Sequence, residues 1–323
     1  MKSQKSIDIV TPCYNEKDCI SLFYEEVSCV VSPFDNYSIT IIFVDDGSKD
    51  GTLNEIKKLV SLNEQIKVKY ISFSRNFGKE AAIYAGLKAS AGDLVVLMDS
   101  DLQHPPAMLP EMIEAVEEGY DSCAAYRKER IGESILRTLF SKSFYKLFNL
   151  ISNTKIDEGA TDYRLMTRKM VDAVISLSET ERFTKGLFQW VGFKTKVMVC
   201  ESVPRTVGKS KFNFVSLFKY AINGIVAFST VPLRLASFIG FLVLTSGFIY
   251  MIVMLFRAVF SGIAGGGFVT IVTLILFLGG IIIMLLGVIG EYIARIYMEI
   301  KKRPLYVVSD SNLNENDECE TGS

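Results

Sequence analysis

The sequence predicts an α/β domain built on a mostly parallel sheet, followed by a C-terminal hairpin of two membrane-spanning helices. Two observations predict it. In the first 130 residues short, β-rich apolar runs alternate with helical stretches, as strands and crossover helices do in a parallel sheet. Residues 235–300, in contrast, are overwhelmingly apolar.

The strand runs are IDIVTP (7–12), ITIIFVDD (39–46), KVKYISF (67–73) and DLVVLMD (93–99). They read as strands buried on both faces. Helical patterns lie between and after them, at about 17–31, 52–62, 78–90 and 107–118. Thr52-Leu-Asn-Glu55 has the spacing of a capping box at the start of the second helix. Beyond 130 the pattern changes. GESILRTLFSKSFYKLFNLIS (132–152) and KFNFVSLFKYAINGIVAF (211–228) are amphipathic, with basic and aromatic residues. Each suits a membrane interface or packing against the domain equally well.

LASFIGFLVLTSGFIYMIVMLF (235–256) and FVTIVTLILFLGGIIIMLLGVIG (268–290) are 22 and 23 residues without a charge, long enough to cross a bilayer. Apolar all round, they do not read as buried core helices. Small residues (Gly240, Ser246, Gly247, Gly279, Gly280, Gly287) are expected to let the pair approach closely. Lys219 and Arg234 precede the first span, and Arg295, Lys301, Lys302 and Arg303 follow the second, whereas the connecting loop carries only Arg257. The positive-inside rule then puts both ends in the cytoplasm and the protein in the cell membrane as a multi-pass chain. The apolar stretch of MKSQKSIDIVTPCYNE is too short for a signal peptide and reads as the first strand. SDSNLNENDECETGS (309–323) is polar and acidic, and disorder is expected there. The expected division is a catalytic domain over 1–210, an amphipathic linker over 211–233, the two spans within 234–294 and a partly disordered cytoplasmic tail over 295–323.

Composition excludes several classes of function. Lys and Arg total 35 against 36 Asp and Glu, which argues against a general nucleic-acid surface. Six scattered cysteines without a C-x-x-C pair give neither a zinc knuckle nor a disulfide framework. The single histidine, His104, leaves no basis for Ser–His–Asp chemistry, and its place before Pro105 and Pro106 suits a turn.

Parallel sheets bind ligands at the carboxyl ends of their strands. The polar clusters lie there: CYNE, DDGS, SRNFGKE and DSDLQ follow strands one to four. Neither G-x-G-x-x-G nor G-x-x-x-x-G-K-[ST] occurs, so a nucleotide is held in another way. Asp99 and Asp101, two residues apart where a strand ends, can share one hard divalent cation, with Gln103 adding an oxygen. An acidic turn without metal is the plainer alternative.

IVTPCYNE, VDDGSKDGT, SRNFGKEAA and DSDLQHPP, in this order and spacing, resemble glycosyltransferase family 2, and the likeness continues through EGATDYRLMTRK, FTKGLFQWVGF, RTVGKSKFN, GEYIARIY and KKRPLY. With the hairpin, nearly the whole chain is similar to polyprenyl-phosphate glycosyltransferases. The bactoprenol (undecaprenyl-phosphate) glucosyltransferases are the nearer branch and the dolichol-phosphate mannosyltransferases the more distant one. The resemblance implies a GT-A fold and transfer of a sugar, with inversion, from a UDP-sugar to undecaprenyl phosphate. It implies Mg²⁺ or Mn²⁺ at Asp99, Asp101 and Gln103. It places the donor nucleotide against Pro12, Asn15, Glu16, Asp45, Asp46 and Asp99, and the donor phosphates against Arg205 and Lys211. Asp162 and Asp101 are the implied catalytic pair, and Arg127, Arg137 and Ser141 the implied holders of the acceptor phosphate. Membrane lipid is an implied partner and nucleic acid is not; a homo-oligomer, a flippase and a downstream glycosyltransferase stay open.

Physical chemistry supports these roles. A departing diphosphate develops negative charge, which a cation and basic groups stabilise. An acceptor phosphate is already anionic near neutral pH, so Asp162 is expected to orient it more than to deprotonate it. Asp45 or Asp46 capping a turn, Arg127, Arg137, Arg205 and Lys211 as solvated charges, and Asp162 pairing with Arg164 are the structural alternatives. Glucose is the favoured sugar on the likeness of NFGKE, DYRLM and FTKGLFQWVG; N-acetylglucosamine is the alternative donor sugar, and a non-catalytic scaffold that binds a sugar nucleotide is the alternative of another class.

Overall fold

The computed structural model describes residues 4–62, 66–127, 146, 149–150, 159–177, 179–180, 182–200, 231–261 and 267–313. The two amphipathic stretches at 132–152 and 211–228, the 210 boundary, and residues 314–323 fall largely or wholly outside them.

The sheet grows from four parallel strands whose positions the apolar runs foretell: β1 (Lys5–Cys13), β2 (Tyr37–Asp45), β3 (Ile66–Phe73) and β4 (Leu94–Leu97). Three further strands, β5 (Ser122–Arg127), β6 (Ala160–Thr167) and β7 (Thr195–Cys200), extend it on one side, and β8 (Val308–Ser311) closes the other. The order is β7-β5-β6-β4-β1-β2-β3-β8. β6 runs antiparallel to both β4 and β5, and β8 antiparallel to β3.

Helices cover both faces because alternate strand residues are apolar on both. On one face α1 (Lys17–Val31), α2 (Thr52–Val60) and α4 (Leu109–Glu117) bury Ile20, Phe23, Val27, Ile56 and Met112 against Ile9, Ile41, Phe43 and Val96. Phe23 meets Phe43 edge to face at 5.9 Å, an arrangement worth about 1 kcal/mol beyond area burial. On the other face α3 (Lys79–Ala89) and α5 (Arg168–Ile175) pack Ala82, Ile83, Met170 and Val174 against Val10, Ile42, Val95 and Leu97. A short α6 (Thr184–Trp190) adds Phe188.

The helix starts differ from expectation at α2. The expected capping box does not form. The N-cap is Gly51 in a left-handed conformation, and Glu55 pairs forward with Lys58. Asp50 does the capping: its carboxylate accepts the Thr52 N–H at 3.0 Å and the Thr52 hydroxyl at 2.5 Å. Thr52 is thereby free to accept the Glu16 N–H, at 2.9 Å.

The apolar segments form two long helices, α7 (Val231–Ser261) and α8 (Gly267–Ile300). Both contain stretches long and apolar enough to cross a membrane, Leu233–Tyr250 and Phe277–Ile300. Their large side chains, among them Phe241, Phe256, Ile275, Phe277 and Ile283, are exposed, as a lipid-facing pair requires and a buried core pair would not show. Of the small residues expected between them, Gly240 does face Leu285. Gly247, Gly279, Gly280 and Gly287 face open space among the described residues, so close approach is local.

The chain then returns to the sheet, where residues 309–313 had been expected to be disordered. β8 pairs with β3 although its sequence, VSDS, is polar. Side chains compensate: Asp310 pairs with Lys57 and accepts the Tyr70 hydroxyl, while the Asn312 side chain accepts the Tyr70 N–H and donates to the Val68 carbonyl. Tyr306 stacks on Phe73 at 4.8 Å. At the end of α8 the Glu299 carboxylate accepts both the N–H and the hydroxyl of Thr180. The hairpin is thus fastened to the domain at two places.

Burial pushes the Tyr306 phenol up to about 12, with Tyr84 adding to it, from an ordinary value of 10.0. A group with a raised folded pKa contributes stability that is complete below its unfolded value and is lost as pH rises through its folded value. Stability should therefore fall between pH about 10 and about 12, and Tyr306→Phe, which keeps the stack, should flatten that fall. Thermal unfolding of both proteins across this range checks it; identical slopes would show that the phenol takes no part.

Candidate active site

The strand ends line up. Cys13 of β1 lies beside Asp45 of β2, and Asp45 beside Ser72 of β3. The loops that follow are therefore neighbours, and they interlock. The Asn15 N–H donates to the Ser48 hydroxyl and the Lys49 N–H to the Asn15 side chain, both at 2.8 Å. Asn15 adopts φ 51°, a left-handed conformation that a short polar side chain tolerates. The Ser100 hydroxyl donates to the Glu16 carboxylate, joining the loop after β1 to that after β4. Pro12, Asn15 and Glu16 thus meet DDGS and the metal-candidate loop in one polar crest.

Asp45 and Asp46 are more enclosed than a simple contact pair, at 1% and 4% exposure. Asp45 accepts the Ser48 N–H at 3.1 Å and the Ser72 hydroxyl at 2.8 Å. Asp46 accepts the Phe77 N–H at 2.6 Å and the Gly78 N–H at 3.0 Å. Burial pushes the Asp46 carboxyl up from its ordinary value despite those two N–H groups. Burial, then the nearby carboxylates of Asp45, Glu16 and Asp46, pushes the Cys13 thiol well above the usual range, which makes it an inert core group.

Asp162 reaches this crest by strand pairing. Leu97 of β4 pairs with Arg164 of the antiparallel β6. Continuing that register by two residues sets Asp162 opposite Asp99. The ammonium of Lys79, the first residue of α3, lies between them, 2.7 Å from Asp99 and 2.8 Å from Asp162. Burial alone would depress the lysine, but Asp162 and then Asp99 outweigh it and raise Lys79 far above its ordinary value. Burial likewise opposes the Asp162 charge, yet Lys79, Lys185 and Arg164 reverse the balance and hold its carboxyl well below the usual range.

Arg164 is not the ion-pair partner that the sequence allowed for Asp162; Lys79 is. Arg164 is 2% exposed, lies 3.9 Å from the Phe188 ring, and leaves Nε and Nη1 without hydrogen-bond partners among the described residues. Burial lowers its pKa to about 10 against the pull of Asp162. Glu80, next to Lys79, accepts the N–H and hydroxyl of Thr184 and so ties α3 to α6. Lys79, Glu80 and Ser100 escaped sequence reasoning, although all three lie inside the quoted strand-end clusters. The signal that could have found Lys79 is a lone lysine beside an acidic crest.

In the last cluster the Asp101 carboxylate accepts the Gln103 N–H at 3.2 Å, across Leu102 at φ 54°. His104 is buried with its ring 5.8 Å from that of Tyr163. Among the described residues no group of three or more His, Cys, Asp or Glu is arranged to hold a metal ion. Two carboxylates and an amide fit a hard cation that takes its other ligands from a diphosphate and water. Arg127 ends β5, but its side chain, like Arg137, Ser141, Arg205 and Lys211, lies outside the described residues.

Glycosyl transferase family 2 matches residues 8–175, and the GtrB C-terminal hairpin matches residues 231–296. CsbB of Bacillus subtilis (strain 168), provisionally named a glycosyltransferase, is 44% identical over 98% of this chain and 95% of its own. An Escherichia coli (strain K12) protein named a prophage bactoprenol glucosyl transferase homolog is 40% identical over 94% of this chain and 98% of its own. Among solved structures, glucosyl-3-phosphoglycerate synthase from Mycobacterium tuberculosis, in complex with Mn²⁺, UDP-glucose and phosphoglyceric acid, is 18% identical. It covers 68% of this chain and 77% of its own, with a TM-score of 0.44. The chain belongs to glycosyl transferase family 2, with the GT-A fold of that family and its C-terminal membrane hairpin.

The DDGS turn depends on a glycine. Gly47 has φ 66°, and a Cβ there would lie 2.4 Å from the Arg75 carbonyl carbon. Gly47→Ala should cost about 2–4 kcal/mol, from the left-handed backbone and the clash with main chain. Denaturant unfolding measures it; a loss within a few tenths of a kcal/mol would mean that the two loops do not pack so closely.

Proposed function

We propose that this glycosyltransferase moves glucose from UDP-glucose onto undecaprenyl phosphate. The observation that carries the reading is 40% identity, over nearly the whole chain, to proteins named bactoprenol glucosyl transferase, with hairpin and acidic crest both present. An oxygen of the lipid phosphate attacks C1 of the sugar, the bond from C1 to the UDP oxygen breaks, and UDP leaves with the electron pair. The configuration at C1 inverts.

In this reading the pocket of Pro12, Asn15 and Glu16, backed by Asp45 and Asp46, receives the nucleotide. Asp99, Asp101 and Gln103 would hold Mg²⁺ or Mn²⁺, which would supply charge stabilisation to the departing diphosphate. Asp162 orients the acceptor, whose phosphate is anionic and needs no strong base near neutral pH. By the resemblance of their motifs, Arg205 and Lys211 are assigned to the donor phosphates, and Arg127, Arg137 and Ser141 to the acceptor phosphate. The basic residues after the second span, Arg295, Lys301, Lys302 and Arg303, support a cytoplasmic catalytic domain on the cell membrane.

Membranes containing the full chain should transfer label from UDP-glucose to endogenous polyprenyl phosphate, and should do so less well from UDP-N-acetylglucosamine. Identification of the lipid product decides the sugar: a product built only from N-acetylglucosamine would overturn the glucose assignment.

Excess chelator, or Asp101→Ala, should reduce transfer by about a hundredfold or more, the scale expected when electrostatic stabilisation of a leaving group is lost. His104→Ala should keep most of the activity. Full activity in chelator would remove the metal from the account.

A further inference from the structure

Lys79 touches both Asp99 and Asp162. Its ammonium has three N–H donors and meets the carboxylates of Asp99, in the loop just after β4, and Asp162, in β6. It starts from a third element, α3, so three separate segments converge on a single charge. The side chain is 40% exposed, and its ammonium bridges the two carboxylates. Its neighbour Glu80 is anchored to Thr184, which fixes the first turn of α3 and limits where the lysine can reach. Without the ammonium, two carboxylates would face each other across adjacent strands and repel, each free to turn towards solvent.

We propose that Lys79 is a positioning residue of the transfer reaction, holding the donor-side carboxylate of Asp99 and the acceptor-side carboxylate of Asp162 in one fixed geometry. The proposal rests on the reading of this crest as the transfer site, and not on which sugar is transferred. Lys79 acts through the two aspartates, and so its loss should be felt in turnover while donor binding stays largely intact. Lys79 meets the proposed donor set at Asp99, whereas Asn15, Glu16, Asp45 and Asp46 are held by Ser48, Ser100 and the Phe77–Gly78 main chain.

The test is a double-mutant cycle on the full chain, using whichever sugar nucleotide the wild-type protein turns over. Lys79→Met should lower kcat by about a hundredfold with KM for the donor within about threefold, and Lys79→Arg should recover part of the loss because it keeps a charge between two carboxylates. Asp162→Asn should be similarly slow. The double variant should be no slower than the worse single variant, because residues that act as a unit are not additive. Losses that multiply, or Lys79→Met turnover within about threefold of wild type, would overturn the proposal. Thermal unfolding of each variant separates misfolding from mispositioning; should Lys79→Met unfold, the same cycle is run with Lys79→Gln and Lys79→Arg. A wild-type protein that uses a sugar other than glucose would correct the sugar assignment and leave this cycle to be decided on its own result.

Discussion

Like charges gathered at one end of a sheet are the constraint on which this structure turns. Glu16, Asp45, Asp46, Asp99, Asp101 and Asp162 all come to the carboxyl ends of the central strands or to the strand paired with them. Carboxylates so close cannot share a partly buried surface unless each is given protons to accept or a cation to face. The chain does both. Asp45 and Asp46 are sunk among backbone N–H groups and hydroxyls, Glu16 takes the Ser100 hydroxyl, and Asp99 and Asp162 share Lys79. The buried part of the crest is satisfied internally and shapes the loops. Its open part, around Asp99, Asp101 and Asp162, is the part to which the proposed function assigns a cation and a diphosphate.

The hairpin and the sheet depend on each other through the chain's return. A domain joined to a membrane helix by a free linker would take many heights and tilts above the bilayer. Here Glu299 bonds to Thr180, Tyr306 stacks on Phe73, and β8 adds to the sheet beside β3. These contacts tie the end of α8 to the edge of the sheet that also carries the SRNFGKE loop.

The four parallel strands were legible because burial on both faces leaves continuous apolar runs, and the helices between them because their periodicity is strong. The two long apolar helices near the C-terminus were legible from their uncharged length alone. What escaped was set by tertiary context. Nothing local in DYRLM tells that β6 runs antiparallel beside β4, although this pairing alone sets Asp162 against Asp99. β8 was unreadable since VSDS lacks apolar alternation, and its hydrogen bonds come from Lys57, Tyr70 and Asn312 far away in sequence or outside the strand. Thr52 and Glu55 had the right spacing for a capping box, yet Asp50 and Gly51 offered a better start and Thr52 was needed by Glu16. The acidic residues of the site were visible as residue types. The lysine that organises them was not, because a cation is recognised by its neighbours and those lie on other strands.

The most direct test of the crest as the donor site is a crystal structure of the full chain grown with UDP and Mn²⁺, with anomalous scattering recorded at the manganese edge. The account predicts one anomalous peak bound by Asp99 and Asp101 near Gln103, with the diphosphate completing its ligands and the uridine over the loop of Asn15 and Glu16. UDP bound there with no manganese, or manganese bound away from both aspartates, would contradict it.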